Sequence, residues 1–219
     1  MLFSSSSIKN ALTLVIVTML TACGMQPVKQ ETAPNDVVAD IVTDYSDYAS
    51  KGLLTVDTDY RKQYQAALQA LKKKQHKTAN QILGQLIEQR PDLVSAIYNK
   101  ALLEQALGNE VAAIEWLQQA HKVDPANENV CNALGRSMRL SGKFNEAEKV
   151  YTVCLSFEDQ SPIVHKNYGI LLDLYLHKPA LALKQYQTYM DNTDGSDRQV
   201  KGWLLDLQRR VTSASGGNN

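Results

Sequence analysis

The sequence lacks net charge. Lysine and arginine together number 23, and aspartate and glutamate also number 23. That balance offers nothing to nucleic acid, whose binders carry a basic surplus. An apolar run long enough to cross a bilayer as a helix is missing too: Ala11–Leu20 falls well short of the about 20 residues required. Catalytic signatures are absent, with no Gly-x-Ser-x-Gly elbow, no phosphate-binding loop and no His-Glu-x-x-His pair. The four histidines, His76, His121, His165 and His177, are scattered and show no ligand spacing. His165 is expected to be a satisfied interface histidine. From these absences we expect a protein that is not an enzyme and that holds neither a metal nor a dissociable cofactor.

What is present is a period. Val94–Asn127 reads as two short amphipathic helices around a tight turn, with Ile97, Ala101 and Glu104 on one face of the first. Gly108-Asn109 breaks the helix. The second runs through Ala113, Leu117 and Ala120 to Asp124-Pro125, where proline stops it. About 34 residues earlier the same types return at Ala67, Ala79, Leu83, Leu86 and Pro91. They return later at Leu134, Gly135, Gly142, Ala147, Tyr151 and Cys154, with Asp159 in place of the proline, and again at Tyr168, Gly169 and Leu172. The frame then slips by a single residue at Leu176–Pro179 and resumes with Ala182, Tyr186 and Tyr189.

This order of small, large and breaker residues resembles the tetratricopeptide repeat (TPR), whose period is about 34 residues. The resemblance implies an all-α, right-handed superhelical solenoid of four helix-turn-helix repeats, 60–93, 94–127, 128–161 and 162–196. Small Ala113 and Ala147 are expected where the two helices of a repeat cross closely. After the loop Asp191–Ser196, Val200, Trp203, Leu204, Leu207 and Val211 mark one face of a capping helix over 197–211, with Trp203 as core. Residues 212–219 are expected to be a disordered tail.

The start differs in kind. A serine-rich segment with Lys9, a short apolar run and small residues before Cys23 make a secretory signal over 1–22. Leu20-Thr21-Ala22-Cys23 resembles the lipobox of bacterial lipoproteins. That implies cleavage before Cys23 and a diacylglycerol on its sulfur with an acylated amine (palmitate), which anchors the chain to the membrane. Gly24 after the cysteine points to the periplasmic face of the outer membrane.

Residues 23–59 then read as an acidic tether, with seven acids from Glu31 to Asp59 against Lys29 and Lys51. Val37, Ile41, Tyr45 and Tyr48 recur at helical spacing within it, either as a short helix covering the first repeat or as plain linker. Lys72, Lys73, Lys74, His76 and Lys77 cluster at the turn of the first repeat, as a solvated turn or as a contact for the tether or anionic lipid.

In the repeat family the first helix of each unit lines a concave groove. The resemblance places Tyr64, Tyr98, Asn99, Leu102, Asn132, Arg136, Arg139, Lys166 and Asn167 there, with Asp173 at the far end. The grading is aromatic and aliphatic first, then amide and cationic, and Arg136 and Arg139 are expected to point into solvent. Asparagine can pair with the backbone of an extended peptide, and the cations can receive carboxylates.

Cys131 and Cys154 fall at matching heights on the two helices of one repeat. With helix axes about 8–10 Å apart and a disulfide needing Cα atoms within roughly 4.4–6.8 Å, we expect buried free thiols unless packing is unusually close. Anchor, tether and repeats together resemble outer-membrane lipoproteins that assist type IV and Flp-type pilus and secretin assembly. An adaptor recruiting peptidoglycan hydrolases and an accessory to an energised outer-membrane transport system are the alternatives. The expected partner is a protein bound in the groove, with membrane contact through the lipid.

Overall fold

The computed structural model describes residues 58–157 and 161–216. The signal segment, Cys23, almost all of the tether and Asp159 lie outside the described residues. Helices alternate with short turns throughout, and there is no strand among the described residues. In chain order they are α1 (Thr58–Lys72), α2 (His76–Gln89), α3 (Val94–Ala106), α4 (Glu110–Val123), α5 (Glu128–Leu140) and α6 (Phe144–Leu155). There follow α7 (Pro162–Ile170), which runs on into a π-helical turn (Leu171–Tyr175), α8 (Pro179–Asp191) and α9 (Arg198–Gly216). These are four helix-turn-helix units and a terminal helix, as the period predicts. None of the described helices is long and apolar enough to cross a membrane.

The turn inside each unit is built the same way. One residue takes a left-handed conformation: Lys74 (φ 55°), Gly108 (80°), Gly142 (75°) and His177 (52°). The next amide then reaches back to close the helix end: Gln75 to the Ala70 carbonyl, Asn109 to Glu104 and Lys143 to Met138, each at 2.8 Å. Glycine adopts this geometry without steric penalty, whereas Lys74 and His177 bear a cost of about 1 kcal/mol or more.

Each unit closes on a small residue facing a large one. Ala67 faces the level of Leu83 in the frame and Ala101 that of Leu117; all four are fully buried. In the third and fourth units the pairs become Gly135 with Tyr151 and Gly169 with Tyr186. A Cβ on Gly135 would lie 2.3 Å from the Tyr151 ring, and one on Gly169 would lie 2.5 Å from Tyr186. The missing methyl is the space the ring occupies. Ala113 and Ala147 are also at 0% exposure, buried as small residues at those positions require.

The one-residue slip has a physical location. Gly135 and Gly169 stand in frame, but Ala182 and Tyr186 come one residue late, so the insertion falls between Gly169 and the turn. The π-helical turn Leu171–Tyr175 absorbs it, with Leu176 donating to Leu171 and Lys178 to Leu172. A widened turn takes up an extra residue without breaking the helix. The sequence places the slip at Leu176–Pro179; the helix accommodates it one turn earlier.

Two expectations are corrected. Cys131 and Cys154 form a disulfide, with Cα atoms 6.1 Å apart. The 8–10 Å spacing describes helix axes, and Cα atoms ride about 2.3 Å out from each axis. Facing Cα atoms therefore approach by several ångströms more, and Gly135 and Ala147 favour a close crossing in this unit. Residues 212–216 are not a disordered tail, because α9 continues to Gly216. The Thr212 and Ser213 hydroxyls donate back to the Gln208 and Arg209 carbonyls, which satisfies them inside the helix. On the buried face of α9, Val200, Leu204 and Leu207 close the stack, and half-buried Trp203 packs its ring 5.2 Å from Tyr186.

Candidate binding face

The first helix of each unit presents its polar positions to the next unit's first helix, and a recurrent pairing joins them. Asn99 Nδ2 donates to Tyr64 Oη at 2.6 Å and to the Ser95 carbonyl at 2.8 Å, joining α1 to α3. Gln105 Nε2 donates to Ser137 Oγ at 2.5 Å, joining α3 to α5. Asn167 Nδ2 donates to Asn132 Oδ1 at 2.5 Å, joining α5 to α7. The first and third pairs occupy the same two repeat positions, one frame and one residue apart.

Burial divides the expected groove residues. Tyr64 is 1% exposed, Leu102 3%, Asn99 5% and Tyr98 8%. The aromatic and aliphatic end is therefore built into the inter-repeat packing, with Asn99 spending its amide on Tyr64 and Ser95. Asn132, Arg136, Lys166 and Asn167 are half-buried and share the C-terminal stretch of the face. The Asn132–Asn167 bond leaves the Asn132 amide NH₂ and the Asn167 carbonyl oxygen without a protein partner among the described residues. That is one donor beside one acceptor on adjacent helices, the complement of an extended backbone.

Arg139 is the clear departure. It does not point into solvent: it is 1% exposed, with its guanidinium 5.6 Å from the centre of the Tyr175 ring. Asp173, one frame later at the same repeat position, has a side chain only 1% exposed and accepts from Arg210 at 2.6 Å. Tyr186 lies in the field of all three charges. Burial first, then the Asp173 carboxylate, pushes its phenol far above the usual range, against the opposing pull of Arg139 and Arg210. Asp173 and Arg210 thus tie the π turn to α9, while Arg139 of the third unit lies over Tyr175 of the same turn. A position-by-position reading of a groove cannot see that a long side chain turns inward to lie over an aromatic ring of the next unit.

Lys166 is engaged as well. Its Nζ lies 2.7 Å from Asp197 and faces the Tyr189 and Trp203 rings at 5.2 and 6.0 Å. Asp197 also caps α9 through the Gln199 and Val200 amides. Partial burial raises Asp197, but the bonds from Lys166, Val200 and Tyr189 outweigh it and hold the carboxyl down at about 2. Arg136 and the two asparagines are half-buried on the same stretch. The basic cluster at the first turn is largely solvated: Lys72, Lys73, Lys74 and Lys77 are exposed, with His76 half-buried.

His165 is the interface histidine expected, 8% exposed with Nδ1 2.7 Å from Gln185 Oε1. His121 is less ordinary. Scattered in sequence, it comes together with Cys131 and Cys154, the three offering ligand atoms that all lie within 4.8 Å of one another. Desolvation depresses its pKa, with Asp124 opposing, so the ring is neutral at neutral pH. Sequence spacing missed this group because His121 belongs to the second unit and the cysteines to the third.

No family model and no curated protein matches this sequence. Solved structures do. Pseudomonas aeruginosa PilF is similar at 20% identity and a TM-score of 0.59, over 70% of this chain and 69% of that one. A thermophilic TPR protein of Thermus thermophilus is similar at 21% identity and 0.53, over 83% and 98%. YrrB, described as a TPR protein with an unusual peptide-binding site, is similar at 15% identity and 0.54, over 80% and 84%. At these identities the likeness concerns the backbone, and with the period and the four stacked units it gives the conclusion: this chain has the fold of a tetratricopeptide-repeat solenoid.

Proposed function

We propose that this protein is a membrane-anchored, non-enzymatic adaptor of the periplasm that holds an extended protein segment along its concave face while an envelope machine assembles. The carrying observation is the half-buried strip of Asn132, Arg136 and Asn167, where an amide donor and an amide acceptor with no partner among the described residues sit beside a cation. Such a strip suits a peptide backbone with an acidic side chain nearby. The likeness to YrrB, described as a TPR protein with an unusual peptide-binding site, supports peptide binding as the use of this fold.

Anchoring would come from lipid on Cys23, within the lipobox-like Leu20–Cys23, and the tether would let the repeats reach partners in the periplasm. Type IV or Flp pilus and secretin biogenesis is the machine we favour, on the sequence resemblance and on the likeness to PilF.

Site-specific photo-crosslinkers test the face. Placed at positions 136 and 167 they should trap a pilin, secretin or other assembly component, whereas one at exposed Gln118 should not. Capture at 118 alone would put binding on the other surface. Arg136→Ala should weaken the captured complex by about tenfold, the loss of one charge-assisted bond. Cys23→Ala should release the protein from outer-membrane fractions and abolish palmitate labelling; retention with the membrane would sink the anchor.

A further inference from the structure

We propose that His121, Cys131 and Cys154 form a second, independent site: a binding site for a thiophilic divalent cation, zinc foremost, closed by the disulfide and opened by its reduction. The three side chains come from two units, His121 on the last turn of α4, Cys131 on α5 and Cys154 on α6. Their ligand atoms all lie within 4.8 Å of one another. A tetrahedral zinc with sulfur at about 2.3 Å and nitrogen at about 2.0–2.1 Å holds its ligands roughly 3.5–3.8 Å apart. That fits inside the observed envelope once the sulfurs are no longer bonded.

The surroundings agree. Cys131 is fully buried and Cys154 is 2% exposed, while His121 is half-buried and connects the pair to the surface. His121 Nδ1 is buried and makes no hydrogen bond among the described residues, although a buried imidazole nitrogen ordinarily finds a partner. Two thiolates and an imidazole are soft and borderline donors, which select zinc over calcium or magnesium. With three protein ligands, the fourth position falls to water from the exposed side of His121.

The chemistry balances with a dithiol as reductant. It breaks the Cys131–Cys154 bond, supplies two hydrogens to make two thiols, and closes its own disulfide. The cation then displaces both thiol protons to solvent and binds the two thiolates and the neutral imidazole. A disulfide oxidant that accepts the two electrons restores the bond and expels the metal. In either state the third unit stays pinned, by a covalent bond in one and by a metal shared with the second unit in the other.

Full-length protein tests this. One portion is kept oxidised; the other is reduced with a phosphine in mild denaturant and returned to buffer without air. Each is titrated with Co²⁺ as probe, then with Zn²⁺. Reduced protein should bind one cobalt per chain with thiolate-to-metal charge-transfer absorption, bleached by zinc, and oxidised protein should show none. His121→Ala should weaken cobalt binding by at least about tenfold, as loss of a direct ligand exceeds the weakest penalty known for its supporting shell. Absence of the bands in folded reduced protein, equal binding by oxidised protein, or unchanged affinity in His121→Ala would overturn the site. Should the reduced chain lose its helical circular dichroism, recovery on adding zinc supports the proposal and failure to recover refutes it.

Discussion

The first two repeats and the last two solve one packing problem with different residues. At the matching frame positions of each unit, the N-terminal pair carries alanine and leucine, Ala67 with Leu83 and Ala101 with Leu117, all fully buried. The C-terminal pair sets glycine against tyrosine, at Gly135 with Tyr151 and Gly169 with Tyr186. Volume moves from one helix to the other while the period stays. The rings then extend the contact beyond the unit, with Tyr151 5.6 Å from Tyr168 and Tyr186 5.2 Å from Trp203. The disulfide, the buried Arg139 and Asp173 charges and the π turn all fall in this C-terminal half as well. A repeat frame therefore dictates which positions meet, and leaves open how each meeting is filled.

Breaking the covalent feature of that half should have the largest effect. Cys131→Ala with Cys154→Ala removes a link across a sequence separation of 23 residues, worth about 3 kcal/mol of unfolding free energy. Urea denaturation of both forms measures it; an unchanged midpoint would mean the bond constrains little.

Exchanging the packing types sharpens the comparison. Gly135→Ala drives a methyl into the Tyr151 ring and should cost about 1–3 kcal/mol. Adding Tyr151→Leu recreates the Ala–Leu pair of the N-terminal half, so the double variant should lose less than the two single losses added together. A coupling energy of about 0.5–3 kcal/mol in the double-mutant cycle is expected, and strict additivity would show that the ring and the glycine do not share the space.

The smallest effect concerns the end of the stack. Because the folded carboxyl of Asp197 titrates at about 2 against an ordinary 3.8, it adds stability above about pH 4 that is lost as pH falls toward 2. Asp197→Asn keeps a capping side chain but loses the ion pair with Lys166, so at pH 7 it should cost about 1–2 kcal/mol, somewhat under the linkage equivalent of that shift because the pair is partly solvated. The difference from the parent should shrink between pH 4 and 2. A gap that widens over that range would contradict the assignment.

The candidate face was only partly legible. Asn132, Arg136, Lys166 and Asn167 share the half-buried stretch that family positions suggested, whereas Arg139 turns inward and Tyr64, Tyr98, Asn99 and Leu102 are buried. Position within a helix gives the direction of the Cα–Cβ bond. It does not give the path of an arginine with several rotatable bonds, which here runs inward to the Tyr175 ring.

By itself the sequence determined the units, because periodic small and large residues, breaking turns and stacking neighbours all act over distances along the chain that can be counted. It also located the terminal helix, through the spacing of Val200, Trp203, Leu204 and Leu207, and it revealed that one residue had been inserted late. Only the tertiary structure decided that Leu171–Tyr175 would widen to hold that residue, that Cys131 and Cys154 would bond, and that His121 would join them from another unit. Each of these depends on a separation of a few ångströms between helices distant in sequence. Such separations are set by how side chains interdigitate, a property of the packed whole that no single stretch of chain carries.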